Sequence, residues 1–221
     1  MNLYSDHDGA LSALVDFHLV TKWKTAGDSL LAALRLADPD AREVLVVGAG
    51  TVGLSLCEAF GTGFPKAALK MWNRTRSKAE EVAARYDGLE VVDDLATAVN
   101  RADIIVTATM SSEPVIRGEW LRPGQHLNLI GAYRPDMREA DDEAMRRARI
   151  FVDSFDTTVD HIGELMMPLA DGVITRADVV ADYYDLDAFK ASRDDITVFK
   201  NGGGAHLDLM TSRYILDKWQ G

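Results

Sequence analysis

Glycines occupy the first, third and sixth positions of the run Gly48, Ala49, Gly50, Thr51, Val52, Gly53, directly after the apolar stretch Val44–Val47. Glycine at those positions permits a tight turn, lets the backbone approach a bulky anion, and lets a following helix pack closely on a strand. The helix that opens there aims its unpaired N–H groups at the same anion. The chemistry implied is capture of a dinucleotide pyrophosphate. Twenty residues past Gly53 stand Asn73, Arg74, Thr75 and Arg76, with Lys78 just beyond. No carboxylate is there to accept from the 2′-hydroxyl of an NAD ribose. Arg74 instead presents a planar fork to a 2′-phosphate, Thr75 adds a hydroxyl donor and Lys78 adds charge, so the spacing predicts NADP(H). Two further segments, Thr109, Met110, Ser111 and Ile130, Gly131, Ala132, each follow an apolar run. Ligands of open α/β sheets bind at the carboxyl ends of strands, so both segments are expected beside the nicotinamide.

The elements that must position these residues follow from periodicity and punctuation. Between 43 and 154 strand and helix patterns alternate. Strands are predicted at Val44–Val47, Ala67–Trp72, Leu89–Val92, Ile104–Thr107, His126–Ile130 and Ile150–Val152, and helices at Thr51–Phe60 and Arg76–Tyr86. Apolar strands without alternation and right-handed crossovers make this an α/β chain with a Rossmann-type doubly wound parallel sheet. Residues 3–20 read as two short strands around an Asp8–Gly9 turn, followed by a helix from Trp23 to Ala37 with Ala26, Leu30, Ala33 and Leu34 on one face. Beyond Phe155 the alternation is lost until a final helix, Ala205–Trp219, whose face of Leu207, Met210, Tyr214 and Ile215 needs a partner surface. The expected organisation is a nucleotide-binding domain of residues 41–175 and a smaller, incomplete α+β domain made of 1–40 and 176–221.

Composition narrows the function classes. A chain of 221 residues, 47% hydrophobic and 27% charged, can bury a substantial core. Its formal charge of −11 argues against a broad nucleic-acid or anionic-membrane surface, leaving room for a local basic pocket. One cysteine, Cys57, excludes an internal disulfide and a cysteine-based metal cluster. No basic and apolar leader pattern opens the sequence and no run reaches the length of a membrane span, so a cytoplasmic protein is expected. The five histidines lack paired-ligand spacing and no GxSxG elbow is present, which leaves metal-dependent and serine-hydrolase chemistry unsupported. By residue type alone Lys24 and Lys200 read as ordinary surface lysines.

Trp23-Lys24-Thr25, GAGTVG from Gly48, WNRT from Trp72, TATMSSEPVIRGEWLRPGQHLNLIGAYRPDMREAD from Thr107 and ITVFKNGGG from Ile196 together resemble the ornithine cyclodeaminase and mu-crystallin family over essentially the whole chain. The resemblance implies a homodimer acting on small amino or imino acids by cyclodeamination, alanine dehydrogenation or reduction of cyclic ketimine carboxylates. It implies that Lys24, where the family usually has Arg, contacts the substrate carboxylate, and that Thr25 meets the cofactor pyrophosphate. It likewise assigns Asn73, Arg74 and Thr75 to the adenosine phosphate, Thr109, Met110, Ser111, Ile130 and Ala132 to the nicotinamide side, and Lys200 to a late cofactor-contacting segment. Tyr133 stands where cyclodeaminases have their catalytic acid, which points to the NADPH-dependent ketimine reductase branch. Tyr133 and His161 are candidates to line the substrate pocket or handle a proton. Family members typically begin well upstream of the position matching Met1, so part of the substrate domain is expected to be missing here. The alternatives are cyclodeaminase or alanine dehydrogenase activity, or a non-catalytic NADP(H)- or small-ligand-binding protein.

Overall fold

Successive residues of a buried strand serve opposite faces of its sheet, and the central strands here are apolar on both. In β3 (Glu43–Val47), Val44 and Val46 enter one core while Leu45 and Val47 enter the other. That is why the strand shows no alternation. The computed structural model describes all 221 residues. The chain opens with a hairpin of β1 (Asn2–Tyr4) and β2 (Leu11–Leu14), closed at Gly9 with φ +69°, where Asp8 accepts from the Ala10 amide. Helix α1 (Phe17–Leu36) starts earlier than the Trp23 expected because Asp16 caps it, accepting from the Leu19 amide at 2.8 Å. Ala26 and Ala33 are buried and Leu30 packs on the core as expected, but the buried stripe widens to Ala32 and Leu36 and leaves Leu34 exposed.

The large sheet then builds in βα steps: β3, α2 (Thr51–Gly63), β4 (Ala68–Trp72), α3 (Arg76–Ala83), β5 (Glu90–Val91), α4 (Leu95–Arg101), β6 (Ile104–Thr107) and β7 (His126–Leu129). It continues through α5 (Asp142–Arg147), β8 (Ala148–Val152), α6 (Phe155–Thr158), α7 (Gly163–Ala170), β9 (Val179–Ala181), β10 (Ile196–Lys200) and the closing helix α8 (Ala205–Gln220). All eight strands run parallel in the order β5-β4-β3-β6-β7-β10-β8-β9. The order reverses between β3 and β6, which makes the crevice outside their carboxyl ends the natural ligand site.

The last third of the chain corrects the sequence reading. Strands β9 and β10 lie in segments expected to have lost the alternation and assigned to a second domain of 1–40 and 176–221. Both are hydrogen-bonded members of the large sheet, and β10 is inserted between β7 and β8. The physical reason is legible afterwards: Ile196–Phe199 is a short, fully buried β-branched and aromatic run with no helix pattern before it to frame it as a strand. The expected return of the final helix to the N-terminal segment is observed, since α8 packs along α1 and Asp208 pairs with Lys24 at 2.6 Å. Leu207 is buried there, but Met210 and Tyr214 stay exposed beside a groove of about 930 Å³ that Trp23 and Trp219 also line. Helix α4, capped by Asp94, and helix α7 had no counterpart in the expected pattern.

The carboxyl edge of the sheet is held by a buried ionic cluster. Glu139, Glu164 and Lys200 are all fully buried. Lys200 Nζ donates to the carbonyls of Leu129 and Ala132 at 2.8 and 2.7 Å, while Glu164 accepts from the amides of Glu139 and Ala140 at 2.8 and 3.0 Å. Burial, with the charge of Glu139 adding to it, pushes Glu164 up to about 7 against the pull of Lys200 and the two amides. Burial likewise raises Asp28 well above the usual carboxylate range, the Asp153 charge adding to it.

Two measurements test these packing statements. A Cβ at Gly53 would sit 2.7 Å from the Gly48 carbonyl oxygen, so Gly53→Ala is expected to lower the unfolding free energy by about 1–3 kcal/mol in urea denaturation. The raised Glu164 value means that the native state binds more protons than the unfolded chain between the ordinary value of 4.5 and about 7. That contribution to stability is complete below 4.5 and is lost as pH rises through 7. Melting temperatures measured from pH 5 to pH 8 should therefore fall less in Glu164→Gln than in the parent protein.

Candidate functional site

The turn after β3 has the geometry the glycines were expected to serve. Gly48 takes φ +116°, a Cβ there would press within 2.7 Å of the Ala108 carbonyl oxygen, and its amide donates to the Trp72 carbonyl. Gly53 lets α2 close on that turn. A Cβ at Gly50 would meet nothing within 4 Å, so this glycine keeps space open in front of the helix. Gly50 is also the N-cap of α2 and offers no side chain to the first amides of the helix. Those donors are left for an anion.

A crevice of about 380 Å³ runs past this turn, lined by Gly48, Ala49 and Gly50, by Trp72, Asn73, Arg74, Thr75 and Lys78, and by Ala108, Thr109, Met110, Ser111 and Val115. It brings the expected phosphate turn, the basic loop after β4 and the loop after β6 to one place. Asn73 ties two of these together: its carbonyl oxygen accepts from the Ala49 amide at 3.1 Å and its amide donates to the Thr75 carbonyl at 2.8 Å. The three neighbouring cations are not equivalent. Arg76 is engaged by Glu80 and Asp93, whereas Arg74 and Lys78 are exposed at the crevice with no ion-pair partner. The donors available to an added phosphate are therefore Arg74, Thr75 and Lys78.

Other expected site residues lie elsewhere. Thr51 is exposed and Val52 half-buried on the first turn of α2, and Ile130 and Ala132 are buried within the loop after β7, so none of the four lines the crevice. Thr25 is half-buried on α1. Lys200 does not reach a ligand surface; its ammonium is consumed by two carbonyls inside the protein. Lys24 faces a different cavity of about 370 Å³, shared with Asp28, Tyr183 and His206, where Asp208 already satisfies its charge. Tyr133 is 57% exposed with Arg134 over its ring, and His161 is exposed on a neighbouring turn joined by the Gly163 amide to the Arg134 carbonyl. Neither lies in the crevice.

Three acids had no place in the expected site: Glu139 supports the crevice wall, and Asp153 and Asp208 tie down segments beyond it. Glu139 accepts from the Thr109 amide and hydroxyl, both at 2.7 Å, and from the amides of Gly131 and Ala132. Asp153 accepts from the amides of Ser154 and Gly203 and from the Thr158 hydroxyl, all near the end of β8. Asp208 holds Lys24. Asp153 follows a predicted strand and Asp208 lies in a predicted helix, but nothing local marks any of the three acids as functional; only the long-range partners do.

The whole chain, residues 1–221, matches the family described as ornithine cyclodeaminase/mu-crystallin. It is 51% identical over 224 aligned residues to a Δ1-pyrroline-2-carboxylate reductase of Paracoccus denitrificans, covering 97% of this chain and 71% of that one. It is 36% identical to the ketimine reductase mu-crystallin of Mus musculus, covering 98% and 68%. Among solved structures, the Thermococcus litoralis Δ1-pyrroline-2-carboxylate reductase in complex with NADH and L-proline superposes with a TM-score of 0.89 at 26% identity, covering 96% of this chain and 68% of that one. An archaeal alanine dehydrogenase dimer with bound NAD gives 0.88 at 29% identity, covering 96% and 68%. The glycine turn, the sheet order and these matches agree over the full length, and the chain belongs to the ornithine cyclodeaminase/mu-crystallin family.

Proposed function

We propose that this chain binds NADP(H) in the crevice at the β3–β6 divide and reduces a small cyclic ketimine carboxylate, Δ1-pyrroline-2-carboxylate or Δ1-piperideine-2-carboxylate, to the cyclic amino acid. The observation that carries the cofactor reading is the unpaired Arg74 and Lys78 at the end of β4, where no carboxylate competes for a ribose hydroxyl. The substrate reading is supported by the 51% identity to a Δ1-pyrroline-2-carboxylate reductase. Bound there, a reduced nicotinamide would supply a hydride to the carbon of the protonated imine, whose nitrogen keeps its proton as the ring amine forms. The chain's own residues do the positioning. The amides at the start of α2 hold the pyrophosphate, Arg74 and Thr75 hold the 2′-phosphate, and Thr109 and Ser111 border the nicotinamide end. Lys24 would hold the substrate carboxylate once Asp208 shares or yields it. The working unit is taken as a homodimer, each protomer carrying the crevice on its eight-stranded sheet, with the hairpin and the α1–α8 pair from the two chain ends beside it.

One observation favours a second reading. Lys24 is satisfied by Asp208, and Tyr133 and His161 stand outside the crevice, which suits a protein that binds NADP(H) without turnover. NADPH oxidation followed with both ketimines separates the two: NADPH-preferring turnover supports the reductase, and tight NADPH binding with no turnover supports the binding protein.

The 2′-phosphate assignment has its own test. A charge-assisted pair contributes about 1.5–3 kcal/mol, so Arg74→Ala should raise the Kd for NADPH about tenfold to a hundredfold and leave NADH within about twofold, read by nucleotide fluorescence titration. An equal effect on both nucleotides would refute the role given to Arg74.

A further inference from the structure

The last ladder bond between β6 and β7 on the crevice side runs from the Ile130 amide to the Thr107 carbonyl at 3.1 Å. Past it the two strands become loops, and the amides of Thr109, Gly131 and Ala132 have no backbone partner. One carboxylate takes all three. Glu139 Oε1 stands 2.7 Å from both the amide and the hydroxyl of Thr109, and Oε2 stands 2.7 Å from the Gly131 amide and 3.3 Å from that of Ala132. The fit is close on every side: a Cβ at Gly131 would fall 1.9 Å from the Thr109 carbonyl oxygen and 2.5 Å from Glu139 Oε1. Thr109 lines the crevice, and its methyl together with the Ala108 carbonyl packs against Gly48, the first glycine of the phosphate turn. Glu139 itself is fully buried and touches no ligand surface.

We infer that Glu139 is a positioning residue for the nicotinamide half of the cofactor, a buried carboxylate that joins the loop after β6 to the loop after β7 and so fixes Thr109 in the crevice wall. The inference rests on the reading of the crevice as an NADP(H) site. A carboxylate suits the task because its two oxygens accept several hydrogen bonds and donate none, while every group hydrogen-bonded to it is a donor. A glutamine of the same shape must turn an amino group toward one loop or the other, setting donor against donor. The adenosine end of the crevice lies on the far side of the glycine turn, where Asn73 bonds the Ala49 amide and the Thr75 carbonyl without involving Glu139. Loss of the clamp should therefore be felt by one half of the dinucleotide only.

The test compares NADPH with 2′,5′-ADP, a fragment that carries the adenosine and its 2′-phosphate but no nicotinamide, by calorimetric titration of the parent protein, Glu139→Gln and Glu139→Asp. The aspartate variant keeps the charge but draws the oxygens back by one methylene, so it cannot span both loops, and it stands in if the glutamine variant does not fold. The expected result is a Kd for NADPH raised about tenfold to a hundredfold, as for removal of a charged hydrogen-bond partner, with 2′,5′-ADP binding unchanged. Equal losses for NADPH and the fragment, or no loss for either, would overturn the positioning role while leaving the NADP(H) reading intact. A parent protein that binds neither molecule would overturn that reading and this inference with it.

Discussion

In a sheet whose strands all run the same way, every carboxyl end lies on one edge and every amino end on the other. Eight parallel strands put the glycine turn, the basic loop after β4, the loops after β6 and β7, and the ends of β8 and β10 on a single rim. The reversal of strand order between β3 and β6 parts the loops on that rim and opens the crevice. Everything proposed about binding depends on this arrangement. The antiparallel hairpin is a separate two-stranded sheet, whereas α1 packs on the large sheet through Ala26, Ala32, Ala33 and Leu36 and carries α8 alongside it.

A rim made of loop ends is rich in backbone groups that have left the ladder, and burying them unpaired would be costly. The chain meets this with ions. Lys200 accepts the burden of two carbonyls, Glu139 and Glu164 take five amides between them, and Asp153 closes the Gly203 loop. Buried charges held this way resist distortion because a small displacement leaves a charged group unsatisfied. The same reasoning explains how a chain of formal charge −11 can present a site for a polyanion. Its buried acids are neutralised by protein donors, Arg76 is tied to acids of its own, and Arg74 and Lys78 stand free at the crevice.

What the sequence disclosed, and what it hid, divides along physical lines. The phosphate turn and the first βα steps were legible because their signals are local: glycines at fixed offsets after an apolar strand, and a basic loop a set distance onward. The resemblance to a family was carried by the same kind of contiguous segment. Strands β9 and β10 were hidden because no helix–strand alternation frames them, because β9 has only three residues, and because the partners of β10 lie far away in the chain. Lys200 was misjudged as a surface residue for a related reason: no neighbour in sequence announces that Leu129 and Ala132 will supply its acceptors. Glu139 lies in the mixed run Met137–Asp141, and only the folded structure gives it Thr109 and Gly131.

The most direct measurement is a crystal structure of the protein grown with NADP(H). The pyrophosphate is expected over Gly48–Gly50 at the start of α2, the 2′-phosphate within hydrogen-bond distance of Arg74 and Thr75, and the nicotinamide against Thr109 with the Glu139 bonds unbroken. A nucleotide seated elsewhere, such as the cavity beside Lys24, or one whose 2′-phosphate points away from Arg74, would contradict the assignment of the crevice.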